Sequence, residues 1–296
     1  MHFADQLITR VRSLRHPLCV GLDPHLGQIA PLFRRGAMAP GDPQTAAAVQ
    51  DFLFAFVDRL EGRVAVVKPQ IAFFEQLGWR GLQVLEQVVA RCKQRGLLVL
   101  LDAKRGDIGS TAAGYARSYL TQDAPLKVDA ITLNAYLGLD TLEPFAVTGA
   151  GLFVLVRTSN PGAGDLQDLQ TLDGPVYVRM ARNLQPLCQR LVGDTGWSNL
   201  GVVVGATWPK QALAVREALP RALFLVPGFG AQGGSAEAAV RGFVPGPQGL
   251  EGGVVNSSRG LLFPAASQTD SAAVWEQAID EAVAESIEAL GDAIQR

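Results

Sequence analysis

The sequence predicts an α/β fold, a (β/α)8 TIM barrel built as one domain over residues 1–296, on three observations. Eight short apolar runs recur along the chain, at residues 18–22, 64–68, 97–102, 129–133, 152–157, 200–204, 223–226 and 253–256. Each is apolar at consecutive rather than alternate positions, the pattern of a strand covered on both faces by helices. No break in composition and no Pro/Ser-rich linker divides the chain, whose 32 glycines argue for many turns and against an all-helical fold.

Taken in order, the runs are bounded by Gly, Pro or Asp: the first ends Gly21-Leu22-Asp23-Pro24-His25, the second Lys68-Pro69, the third Asp102-Ala103-Lys104. Helix-compatible stretches lie between them at 45–61, 81–95, 110–119, 178–192, 209–219 and 236–241. An Ala/Glu-rich helix at 271–289 is expected to pack on the barrel wall. Two long connections, 24–41 and 158–175, read as insertions at strand ends. An open doubly wound sheet is the alternative, but the Gly-rich turn it needs after the first strand is absent.

Composition bounds the function. With 48% apolar and 18% charged residues the chain has ample core material, and a net charge of -2 offers no basic field for nucleic acid or anionic membrane. Cys19, Cys92 and Cys188 are odd in number and far apart, which suits reduced core residues better than disulfides or a metal knuckle. The first fifteen residues hold Asp5, Arg10, Arg12 and Arg15 and no apolar signal region, and no apolar run approaches the roughly 18 residues of a membrane span. The expectation is a soluble, cytoplasmic protein.

A barrel confines function to the C-terminal ends of its strands, where eight loops converge. Polar residues concentrate there: Asp23, Lys68, Asp102, Lys104, Asp107, Thr132, Asn134, Thr158, Ser159, Thr207, 228–234 and 256–259. Only five lysines occur against twenty-one arginines, yet Lys68 and Lys104 end successive strands. Ammonium groups directly after buried runs need partners, and Asp102 and Asp107 are the nearest candidates to keep them ionised. The bland alternative is an ion-pair network that only ties strands together. Acid–base work falls to lysine or carboxylate, because His2 and His16 lie at the wrong end of the first strand. A second cluster, Pro227 to Gly234 followed by Asn256-Ser257-Ser258-Arg259-Gly260, supplies phosphate-site materials: glycines, Gln232, a helix start near Ser235 and the fork of Arg259.

The string Leu101-Asp102-Ala103-Lys104-Arg105-Gly106-Asp107-Ile108-Gly109-Ser110-Thr111 resembles the signature of the orotidine 5′-phosphate decarboxylase family, in particular its longer bacterial branch (type 2). Val20 to Pro24, Val67 to Glu75, Thr158 to Ala163, Pro227 to Gly234 and Asn256 to Gly260 resemble it in order and spacing, over about residues 15–265. The resemblance implies decarboxylation of orotidine 5′-monophosphate to uridine 5′-monophosphate in pyrimidine synthesis, with no metal or organic cofactor. It implies that Lys104 protonates C6, with Asp102 beside the substrate carboxylate and Lys68 and Asp107 completing the array. It also implies a homodimer in which Asp107, Ile108 and Thr111 reach the neighbouring subunit's site. Asp23 and Lys68 would meet ribose hydroxyls, Ser159 the pyrimidine amide edge, and Gln232, Gly230 and Arg259 the phosphate. Segments 158–175 and 233–252 are the lid candidates. Two other readings remain: a metal-dependent sugar-phosphate relative sharing Asp-x-Lys-x-x-Asp, for which Glu75 is the nearest spare acid, and a non-catalytic nucleotide-binding barrel.

Overall fold

The computed structural model describes residues 2–230 and 234–296. Eight parallel strands close into a barrel: β1 (Leu18–Leu22), β2 (Val66–Pro69), β3 (Leu98–Arg105), β4 (Ala130–Leu133), β5 (Gly151–Arg157), β6 (Ser198–Val204), β7 (Ala222–Val226) and β8 (Gly253–Ser257). Each pairs with its neighbour in sequence, and the ring closes where Leu18, Cys19 and Val20 face Val255, Asn256 and Ser257. All eight predicted runs are strands. The fold is the expected barrel, with helices outside and side chains filling the interior.

Where helices depart from the periodicity, capping chemistry explains it. The helix Pro43–Asp58 starts earlier than its apolar pattern because Asp42 caps it, accepting from the Gln44 N–H at 2.8 Å, and Pro43 presets the first turn. Between β4 and β5 a 3-10 turn, Leu139–Leu142, and one α-turn, Glu143–Ala146, replace a full helix. The final helix, Ala272–Gln295, runs past the expected end at 289 and packs Trp275 edge-on to Phe33 and Phe52. Asp280 of this helix accepts from both Arg59 and Arg63.

An unanticipated helix, Phe3–Leu14, stoppers the N-terminal end of the barrel. Its apolar spacing, Phe3, Ala4, Leu7, Ile8 and Val11, was legible as one helical face, and all five side chains are buried. Phe3 meets Phe153 inside the barrel at 6.1 Å, ring edge to face. Residue 151 is glycine for this reason, since a Cβ there would run into the Phe3 ring.

The second half of one lid candidate, residues 242–252, stands at this closed end. The strands Val244–Gly246 and Gly249–Glu251 form a hairpin just before β8, and therefore opposite the mouth. Glu251 accepts twice from Arg12 at 2.8 Å and once from the Trp197 indole at 3.0 Å. The buried guanidinium of Arg216 holds the segment's base, donating to the carbonyls of Gly242 and Gly252 and lying 3.9 Å from the Phe224 ring centre. Residues 242–252 therefore belong to the barrel's floor and not to a lid. Glu251→Gln should lower the unfolding free energy in urea by about 1–3 kcal/mol, the range for a lost charged hydrogen bond, while ligand affinity at the opposite mouth stays within twofold.

Candidate active site

The chemistry of the mouth begins with an irregularity in β3. Leu101 pairs with Ile131 and Arg105 with Leu133, so β3 uses three residues, Asp102, Ala103 and Lys104, where β4 uses Thr132 alone. Such a bulge costs ladder hydrogen bonds and re-aims side chains. Thr132 repairs the loss: its Oγ1 accepts from the N–H groups of Ala103 and Lys104, both at 2.9 Å, and donates to Asp102 Oδ1 at 2.8 Å. Lys104 lies in the left-handed region at φ 49°, a conformation that costs a non-glycine residue about 1–3 kcal/mol and persists where surroundings dictate it. Gly106 follows because a Cβ there would strike the Asn134 carbonyl.

Asp102 sits between the two lysines. Lys68 Nζ donates to its Oδ2 at 3.1 Å and Lys104 Nζ to its Oδ1 at 2.6 Å. Burial alone would raise the Asp102 pKa, but the two ammonium groups and the Thr132 hydroxyl outweigh it and hold the carboxyl far below its ordinary range. Burial likewise opposes charge on Lys68, whose side chain is only 5% exposed, yet Asp102, with Asp23 behind it, keeps its pKa above the ordinary lysine value. Lys104 is 45% exposed and presents its ammonium to the opening. Lys68, Asp102 and Lys104 thus form one fixed row of charges, with the Lys104 ammonium at its exposed end.

The remaining candidates fall into three groups. Asp23 and Ser258 are close to one another: a Cβ on Gly21 would stand 2.6 Å from Ser258 Cβ and 3.3 Å from Asp23 Oδ2. Asp23 Oδ1 and Ser258 Oγ are buried without partners among the described residues, unspent polar atoms at the mouth. Ser159 is held against the end of β6, where a Cβ on Gly205 would be 2.8 Å from its Cα. Past β7, Gly230 lies at φ 70° with open space where a side chain would be, and its N–H is spent on Gly234 O at 3.1 Å. Gln232 lies outside the described residues. Arg259 is exposed at the start of the single turn Arg259–Leu262, and Ser235 caps Ala236–Ala239.

Asp107 does not join the lysines within its own chain. Its Oδ1 accepts from the Ile108 N–H at 2.8 Å, and among the described residues it forms no ion pair. Ile108 and Thr111 are exposed beside it. The residue missing from the sequence-derived site is Thr132, whose signal was only its place at a strand end. Glu75, the spare acid of the metal-dependent reading, is engaged by Arg105 at 2.8 Å. His2 and His16 bond Leu191 O and Arg63 O at the closed end, and His25 packs on Phe73. All three cysteines are buried and unpaired, and burial pushes the Cys19 thiol up to about 12.

A barrel with this fixed array of ammonium and carboxylate groups and glycine-rich turns after its last strands defines an enzyme for an anionic substrate. The chain matches the Orotidine 5'-phosphate decarboxylase / HUMPS family over residues 16–273 and belongs to that family. Orotidine 5'-phosphate decarboxylase of Rhodopirellula baltica is 41% identical over 98% of this chain and 99% of its own length. That of Roseiflexus castenholzii is 41% identical over 91% and 94%. The structure of Leishmania donovani OMP decarboxylase superposes with a TM-score of 0.76 at 32% identity, covering 99% of both chains.

The depressed Asp102 pKa makes a stability prediction. The native carboxylate stays ionised where the unfolded chain takes up a proton, so its contribution is full above the ordinary value of 3.8 and is lost as pH falls from there. Asp102→Asn should cost about 3–5 kcal/mol at pH 7, the range for breaking a buried pair. That gap should stay flat down to pH 5 and narrow by about 1 kcal/mol at pH 3 in urea melts. A gap that widens on acidification would contradict the assignment.

Proposed function

We propose that this chain decarboxylates orotidine 5′-monophosphate to uridine 5′-monophosphate and CO2, the last step of de novo pyrimidine synthesis. The observation that carries it is the Lys68–Asp102–Lys104 array on the β3 bulge, within a chain that matches named decarboxylases over nearly its full length. Breaking the bond from C6 to the carboxylate leaves an electron pair on a carbon that no carbonyl fully delocalises. Catalysis then requires charge that favours the carbanion more than the starting carboxylate. The Lys104 ammonium stabilises that pair and gives its proton to C6; CO2 departs, and the neutral amine recovers a proton from water. Asp102 orients Lys104 and lies beside the departing carboxylate, and Lys68 keeps Asp102 ionised. This chemistry calls on no metal or organic cofactor.

In the same reading Asp23 and Lys68 hold ribose hydroxyls, where the unpartnered Asp23 Oδ1 supports the assignment. Ser159 meets the pyrimidine edge, while Gly230, Gln232 and Arg259 grip the phosphate. Charge-assisted bonds to a phosphate contribute about 1.5–3 kcal/mol each and can hold an ordered site around a remote reacting carbon. We assign the chain to the longer bacterial branch (type 2) as a single catalytic domain over 1–296. It works in the cytoplasm as a homodimer in which Asp107, Ile108 and Thr111 complete the partner's site. Support for the dimer comes from Asp107, unengaged by its own lysines, and from exposed Ile108, Tyr136 and Leu137 on adjacent loops at the mouth. Three unpaired cysteines suit the compartment, and among the described residues no helix is long and apolar enough to cross a membrane.

The purified protein should release CO2 from orotidine 5′-monophosphate in excess chelator, and Lys104→Ala should lower kcat by about 10^4-fold or more. A folded protein that leaves this substrate untouched, or that chelator silences, overturns the proposal. Mixing inactive Lys104→Ala and Asp107→Ala chains should restore one intact site per mixed dimer. No recovery after verified subunit exchange would remove Asp107 from the neighbour's site.

A further inference from the structure

The connection after β5 is bolted down at its stem. Arg157, the last residue of β5, is fully buried and lies over the Trp208 indole, 4.1 Å from its ring centre. Its Nη2 donates to Asp168 Oδ2 at 2.9 Å, and its Nη1 donates to Thr158 O at 3.1 Å and Gln167 Oε1 at 3.4 Å. Gln167 in turn accepts from the Thr158 N–H at 2.9 Å and donates to the Thr158 hydroxyl at 2.9 Å. From the connection after β6, the Trp208 indole N–H donates to Thr158 O at 3.1 Å. Thr158 is thereby held by three side chains, and its neighbour is Ser159.

A buried guanidinium is a costly way to pack a strand end, where an apolar side chain of similar volume serves stability as well or better. What the guanidinium adds is a planar fork that fixes two points of the chain ten residues apart. Beyond the clasp, residues 169–175 form a small hairpin with Leu169 and Leu172 exposed. We infer that Arg157 is a positioning residue: acting through Asp168 and Gln167, it sets the backbone of Thr158 and Ser159 so that Ser159 meets the base of the substrate. The inference rests on the proposed reading of Ser159 as a contact to the pyrimidine.

The test uses variants at the clasp's outer partners, which leave the buried arginine in place: Gln167→Ala and Asp168→Ala, with Asp168→Glu as the conservative rescue. Calorimetry compares uridine 5′-monophosphate with ribose 5-phosphate, which lacks the base. Both alanine variants should bind the nucleotide about tenfold more weakly, a loss of about 1.4 kcal/mol. They should bind ribose 5-phosphate within twofold of wild type, raise KM more than they lower kcat, and recover in Asp168→Glu. Amide hydrogen exchange should speed up across 158–168 in the alanine variants. A lower melting temperature with unchanged nucleotide affinity would overturn the inference, as would equal weakening of both ligands or unchanged exchange. Wild-type protein inert toward orotidine 5′-monophosphate would instead sink the functional reading, while faster exchange in the variants still reports the clasp.

Discussion

The charged centre of the mouth depends on one carboxylate shared by two ammonium groups. Inside a barrel neither Lys68 nor Asp102 would stay charged alone, because removing an ion from water costs several kcal/mol before any partner is met. Together they remain ionised, and Lys104 adds a second ammonium that is paired to the same carboxylate and exposed to the opening. That ammonium is held in place before substrate arrives. Stabilising a carbanion then requires no reorganisation at the moment of bond cleavage, which is where fixed charges outperform water.

The bulge in β3 is the backbone's part of this arrangement. It fits three consecutive residues into a span where the neighbouring strand has one, and within it Asp102 and Lys104 meet at 2.6 Å while Ala103 packs into the core. Thr132 makes it sustainable by meeting two orphaned N–H groups and still donating to Asp102. The left-handed backbone of Lys104 is a cost kept in the site and offset elsewhere.

That offset lies at the other end. The helix Phe3–Leu14, Phe153, and the hairpin anchored by Glu251 and Arg216 make the barrel's floor tightly packed and internally satisfied. The floor carries stability and leaves the mouth free to hold unpartnered polar atoms such as Asp23 Oδ1. The clasp at Arg157 extends the same logic to the rim, where a loop that could wander is given a fixed stem.

The order of strands and the placement of Lys68, Asp102 and Lys104 were legible from sequence, because consecutive apolar runs are the direct imprint of a strand covered on both faces and charge immediately after them stands out. The helix Phe3–Leu14 is equally visible in the spacing of Phe3, Ala4, Leu7, Ile8 and Val11. The place of the hairpin at 244–251 is not legible in sequence, because a Gly/Pro-rich segment has the same composition at either end of a barrel and only the direction of β8 decides which end it occupies. Thr132, Gln167 and Asp168 could not be singled out. Short polar residues are common, and their roles arise from hydrogen bonds to groups 28 to 30 residues away for Thr132 and 9 to 11 residues away for the clasp. Periodicity records which residues are buried, and so determined the architecture by itself; hydrogen-bond direction, bulge geometry and the sharing of one carboxylate exist only once strands are side by side, and those the tertiary structure decided.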